Sequence, residues 1–172
     1  MPNTFQTKVF IPLILVYAVF FVSCGPKTDE DHIRERMKEA GQHIEKKDIP
    51  SLMGLLSEDY SDYQGRNKSQ TQNMAQTYFR EFRGIVVHVL STRIDGINPG
   101  EATIQTDVAL SSGGAQVLRK LVPVSTDNYR FKIALIKKQD RWLIRYAEWK
   151  HIGIEELFPE SLSILKKLFP HK

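Results

Sequence analysis

The strongest hints of chemistry in this chain are Tyr60, Asp62 and Tyr63, in the run Asp59-Tyr60-Ser61-Asp62-Tyr63, and Glu148, in Tyr146-Ala147-Glu148-Trp149. A carboxylate held in apolar surroundings has a raised pKa and can take a proton from a substrate. A phenol beside it can donate a hydrogen bond to the oxyanion that results. In this scheme Asp62 or Glu148 is the base and Tyr60 or Tyr63 the donor, with His88, Asp107 and Tyr146 as further polar side chains that an enclosed cavity could recruit.

Each of these residues also has a plainer role. Tyr60 and Tyr63 suit a core that keeps its hydroxyls wet, and Asp62 near Gly65 suits a turn. His88 alternates with Val87 and Val89, which turns it toward solvent, and Asp107 is out of phase with Ile104 and Val108, which puts it on a polar face. Glu148 shares a phase with Trp142, Ile144 and Tyr146; if that face is interior, the carboxylate needs a partner, because an unpaired buried charge is costly. No phosphate loop, HExxH, CxxC or GxSxG spacing occurs. His32 and His43 lie too far apart on one helix to chelate, so neither a metal nor a cofactor is expected.

The elements that must position these residues follow from periodicity. Thr28 or Asp29 can cap a helix whose first turn is acidic and whose stripe is Ile33, Met37, Ala40 and Ile44. Asp48-Ile49-Pro50 opens a short helix with Leu52, Leu55 and Leu56 as its buried face, and Asp59 to Tyr63 is a short extended piece ending at Gly65. A third helix runs from about Lys68 to Phe82, with Met74, Ala75, Tyr78, Phe79 and Phe82 on one side. Beyond Gly84 the period becomes two: strands at Ile85 to Ile94 and Ala102 to Leu110 flank the turn Asn98-Pro99-Gly100, and Tyr129 to Lys137 pairs with Arg141 to Trp149 across Lys138-Gln139-Asp140. Residues 111–128 read equally as a strand extension or a loop. The tail from Ile154 to Phe169 has an apolar helical stripe interrupted by Pro159; it either covers the sheet or docks a partner or second copy.

Near the start, Val9 to Val22 is an uncharged apolar run with Pro12 inside it and Lys8 before it. Its 14 residues span about 21 Å as a helix, short of the roughly 30 Å hydrocarbon core, which suits a signal peptide better than a spanning helix. The run ends at Phe21-Val22-Ser23-Cys24-Gly25. This segment resembles the bacterial lipobox, with phenylalanine where leucine is commonest. The resemblance implies cleavage before Cys24, diacylglycerol on its thiol, and a place in the bacterial cell envelope; Gly25, in place of an aspartate, favours the periplasmic face of the outer membrane. Cys24 is the only cysteine, so no intrachain disulfide can form. The net charge of +4 comes from basic residues scattered among acidic ones, and no clustered basic face reads as a nucleic-acid site.

The order of elements resembles the nuclear-transport-factor-2-like (NTF2-like) superfamily, on the stretches IPSLMGLLSEDYSDY (Ile49 to Tyr63) and IALIKKQDRWLIRYAEW (Ile133 to Trp149). The resemblance implies an α+β cone, with N-terminal helices packed on a curved antiparallel sheet. Another α+β sandwich or a cystatin-like arrangement is the runner-up. The expected organisation is a signal peptide (1–23), a lipidated tether (24–28), the α+β domain (29–152) and a helical tail (153–172). That superfamily holds small-molecule isomerases and dehydratases as well as many non-catalytic domains, all using a cavity between sheet and helices. The expected function is therefore non-catalytic binding of a small apolar ligand or a protein partner, with an isomerase or dehydratase as the alternative and homodimerisation open. A pocket holding a carboxylate beside a tyrosine would favour the enzyme; a cavity filled by Phe79, Phe131 and Trp142 would exclude it.

Overall fold

The structure, a computed structural model, describes residues 27–82, 84–112 and 127–157. The leader, Cys24 and the tail from residue 158 onward lie outside them, as do residues 113–126. Helix α1 spans Asp29–Lys46 and is capped by Thr28, whose hydroxyl accepts the Asp31 N–H while Asp31 returns a bond to the Thr28 N–H. Its expected stripe is used in part: Ile33 and Met37 are buried, with Gly41 one turn further on. The short helix α2, Ile49–Gly54, starts at the Asp48 cap with Pro50 in its first turn. Its buried residue is Met53, while Leu55 and Leu56 go inward from the chain beyond the helix.

Strand β1 (Leu56–Asp62) is followed by α3 (Lys68–Glu81) and then by β2 (Ile85–Asn98), β3 (Glu101–Ser112), β4 (Asp127–Lys138) and β5 (Arg141–Ile152); a short helix α4, Ile154–Leu157, ends the described chain. The sheet order is β1-β5-β4-β3-β2. The four long strands are antiparallel, whereas β1 joins the edge of β5 in parallel. The β4–β5 hairpin closes on Gln139 and Asp140, both with positive φ (48° and 60°), the backbone twist that a two-residue turn requires. Gly100, at φ 88°, serves the β2–β3 turn.

Helices α1 and α2 cover one face of the sheet. Their side chains Ile33, Met37 and Met53 pack with Leu56 and Tyr60 of β1 and with Ala102, Ile104, Ile133, Leu135, Trp142, Ile144 and Ala147. Trp142 fills the narrow end, 1% exposed, and its Nε1 donates to Asp29 Oδ1 at 3.1 Å. The opposite end, the wide end of the cone, is formed by the start of β2, the end of β5 and the C-terminus of α3. Lys47, just past α1, reaches this end and donates from Nζ to the Phe79 and Phe82 carbonyls. α1 therefore runs the length of the cone, from narrow to wide end.

The β5 phase changes partway along. Leu135 pairs with Ile144 but Ala134 pairs with Tyr146, so Arg145 is an extra residue and forms a bulge. Before it Trp142 and Ile144 face the helices; after it Ala147, Trp149 and His151 do, opposite Ile133, Phe131 and Tyr129. The single alternating face expected for Trp142, Ile144, Tyr146 and Glu148 is therefore broken in two. Tyr146 and Glu148 lie on the outward face, opposite Ala134 and Lys132.

A candidate aromatic site at the wide end

Beyond the bulge, the inward phase of β5 and β4 delivers aromatic side chains to the wide end. Trp149 packs on Phe131 at 5.9 Å between ring centroids, and Phe131 on Tyr129 at 6.4 Å. Tyr63 meets Trp149 edge-on at 4.8 Å, and His151 meets Tyr129 edge-on at 5.6 Å. On the far side, the C-terminus of α3 contributes Tyr78 and Phe82, stacked at 6.0 Å. Tyr63, Tyr78 and Phe82 remain 44%, 53% and 37% exposed, an unusual concentration of large apolar surface for a small domain. Burial, with Asp127 and Tyr78 nearby, holds the Tyr129 hydroxyl above its ordinary pKa.

The turn after β1 braces this cluster. Asp62 Oδ1 accepts the backbone N–H groups of Gln64 (2.9 Å) and Arg66 (3.0 Å), and Oδ2 accepts Arg66 Nε at 2.7 Å. Gly65, at φ 76°, permits the tight return. The Asp62 side chain is fully buried. Burial pushes its carboxyl up, but the Arg66 guanidinium and the two amides outweigh this and leave it below the usual carboxylate range. The guanidinium then lies over Trp149, 5.3 Å from the ring centroid.

The proposed acid–base residues are thus placed as follows. Tyr60 is buried in the core, and burial together with the Asp62 charge pushes its pKa up to about 12, so the phenol keeps its proton at neutral pH. Asp62 stands two residues along the same strand face, yet its carboxylate is committed to the turn and is ionised, the opposite of the raised pKa that a base in an apolar pocket would have. Tyr63 is half-exposed and its hydroxyl accepts from Gln64 Nε2 at 2.8 Å. Glu148 and Tyr146 are on the outward face, away from all three. The structure brings Tyr60, Asp62 and Tyr63 together and leaves Glu148 apart.

His88 points outward opposite Ala109. Asp107 is also outward, as its phase requires, but it is buried where exposure was expected: Arg130 binds it through two bonds of 2.7 and 3.1 Å and also donates to the Glu156 carbonyl, tying α4 to the sheet. Among the described residues no group of three His, Cys, Asp or Glu side chains could hold a metal ion, and no helix is long and apolar enough to cross a membrane. A shallow groove of about 860 Å³ lies between α1 and the edge strand β2. There Glu45 accepts the Val87 N–H and Arg34 donates to the Thr92 carbonyl, so α1 occupies backbone groups of a sheet edge that would otherwise stand open.

The aromatic cluster was not assembled by sequence reasoning. Phe131 figured only in the condition that a filled cavity would exclude an enzyme, and Arg66, Tyr129 and Trp149 had no expected role. The one available signal was the excess of aromatic residues spaced by two in Tyr129 to Phe131 and Trp149 to His151.

No family model matches the chain, and no curated protein is similar to it in sequence. Solved structures do share the fold. A protein from Novosphingobium aromaticivorans named as a candidate scytalone dehydratase superposes with a TM-score of 0.63 at 17% identity, over 73% of this chain and 85% of its own. A cystatin-like protein of unknown function from Nostoc punctiforme gives 0.59 at 16%, over 74% and 95%. An NTF2-like protein of unknown function from Pseudomonas aeruginosa gives 0.59 at 13%, over 71% and 99%. The fold is the NTF2-like, cystatin-like cone. Identities this low carry the fold and not the chemistry.

Proposed function

We propose that this chain is an envelope lipoprotein, held to a membrane through Cys24, whose cone binds a small, largely apolar ligand at its aromatic wide end without transforming it. The observation that carries the binding reading is the set of half-exposed Tyr63, Tyr78 and Phe82 with partly buried Tyr129, Phe131 and Trp149, braced by Arg66. Apolar and aromatic walls with few polar groups are what a site for such a ligand needs. The observation that favours binding over turnover is the Asp62 carboxylate, saturated by hydrogen bonds and lacking proton affinity at neutral pH. Anchoring rests on the lipobox-like Phe21 to Gly25.

Mass spectrometry of small molecules that co-purify with the full chain from bacterial membranes tests the reading. An apolar compound retained by the parent and lost from Trp149→Ala is the expected result; equal retention by both places the ligand elsewhere. The second reading, a small-molecule isomerase or dehydratase, draws on the candidate scytalone dehydratase that shares the fold and on the adjacency of Tyr60 and Asp62. It requires turnover that Asp62→Asn abolishes while the variant stays folded.

A further inference from the structure

Exposed aromatic side chains on a membrane-bound protein have two ordinary uses, insertion into the lipid interface and capture of a ligand from water. The position of the anchor relative to the cone decides between them. Lys27 is three residues beyond Cys24, so however the intervening chain runs, it spans at most about 11 Å. α1 begins two residues later at the narrow end, where Asp29 binds Trp142 Nε1 and, at 2.8 Å, Lys137 Nζ beside the β4–β5 turn. It then extends 18 residues, about 27 Å, to Lys47, which grips the carbonyls of Phe79 and Phe82 at the wide end. Trp142 and Trp149 mark the same two ends along β5, about 23 Å apart at strand rise.

We infer that the aromatic wide end faces water and not lipid, so that its ligand arrives from the aqueous side of the membrane. This rests on the anchoring proposed above. A tether of about 11 Å cannot bridge a cone about 27 Å long, so the wide end cannot be turned down onto the bilayer while Cys24 remains inserted. With the cone upright the rim points away from the surface; with the cone on its side the rim opens along it, still into water. Charges at the narrow end are largely paired, Lys27 with Glu35, Lys137 with Asp29, Lys138 with Asp59 and Arg145 with Glu101. Among the described residues these pairs leave little unpaired basic charge at that end to grip anionic headgroups, and the covalent lipid dominates the attachment. Tyr63, Tyr78 and Phe82 are left as ligand-facing groups.

Protein expressed in bacteria from the complete 172-residue sequence and reconstituted in phosphatidylethanolamine–phosphatidylglycerol vesicles tests this with two quenchers of Trp149 emission in a Trp142→Phe background. Iodide in the buffer is expected to quench Trp149, and brominated acyl chains are expected to leave it unchanged; quenching by the brominated lipid overturns the inference. Should Trp142→Phe not fold, Arg80→Cys, on the exposed last turn of α3, and Lys138→Cys, at the narrow end, carry a donor dye on the otherwise complete chain. Acceptor-labelled headgroups should then diminish emission more at position 138 than at position 80, and the reverse order overturns the inference. Vesicle flotation read in the same samples separates the two claims. Protein that fails to float refutes the anchor, and protein that floats with a lipid-quenched Trp149 refutes only the orientation.

Discussion

The Arg66 guanidinium lies 5.3 Å from the centroid of the Trp149 ring while its Nε donates to Asp62 at 2.7 Å. One cation thus joins a turn after β1 to the aromatic end of β5, and the buried carboxylate behind it fixes where that cation sits. The residue expected to act as a base instead holds the wall of the site in place.

Removing that carboxylate should therefore cost stability as well as disturb the site. Asp62→Ala leaves the Arg66 charge and two backbone N–H groups without their acceptor, and losing one partner of a buried pair costs about 3–5 kcal/mol. Asp62→Asn keeps the shape and one acceptor oxygen and should cost less. Urea unfolding of the mature domain checks the order; an alanine variant as stable as the parent would show that the turn does not depend on Asp62.

The same carboxylate makes the fold acid-sensitive in a defined direction. Its folded pKa lies below the unfolded value, so its contribution is fully present above about pH 4 and fades as pH falls through the lower folded value. Melting temperature followed from neutral pH downward should hold until about pH 4 and then fall. In Asp62→Asn the neutral-pH melting temperature should be lower and its acid slope shallower. Parallel curves for the two proteins would remove Asp62 from the acid response.

Much of the architecture was legible in the sequence because it is local. Thr28 with Asp31, Asp48 with Pro50, and Gln139 with Asp140 each specify a cap or a turn through neighbours a few residues away. What was illegible depends on partners distant in the chain. Period-two counting carried Glu148 inward with Trp142, but the Arg145 bulge exists only in the pairing of β5 with β4 and moves Glu148 to the other face. The aromatic end combines β1, α3, β4 and β5, and no window of sequence holds more than two of its rings in contact. Asp107 looked exposed by phase because nothing nearby announces that Arg130 and α4 cover the outward face at that point.

Gly41 is a packing residue, in contrast to the turn glycines. A Cβ built there would stand 3.3 Å from a Val87 methyl, so α1 lies close enough to β2 that even a methyl would crowd the contact. Gly41→Leu forces the helix off the strand and should destabilise the domain by about 1–3 kcal/mol, even though leucine is the better helix former by nearly 1 kcal/mol. Chemical denaturation measures this, and a gain in stability would show that the contact between α1 and β2 is loose.

Asp107 and Arg130 offer the sharper test of what holds α4. Their side chains are 11% and 21% exposed, and Arg130 bridges Asp107 to the Glu156 carbonyl. Asp107→Ala leaves a mostly buried cation without its main partner, which costs about 3–5 kcal/mol, whereas removing both charges in Asp107→Ala/Arg130→Met avoids that penalty and should restore much of the loss. If the pair matters chiefly as a clasp, the two variants will differ in a second measurement. Amide exchange at Glu156, whose N–H bonds the Gly153 carbonyl, should quicken in the double variant although global stability recovers, because the Arg130 bond to the α4 backbone is gone and the exposed Lys150–Glu156 ion pair is weak by comparison. Exchange at Glu156 that returns to the parental rate along with stability would mean that packing, and not the Arg130 bond, seats this helix.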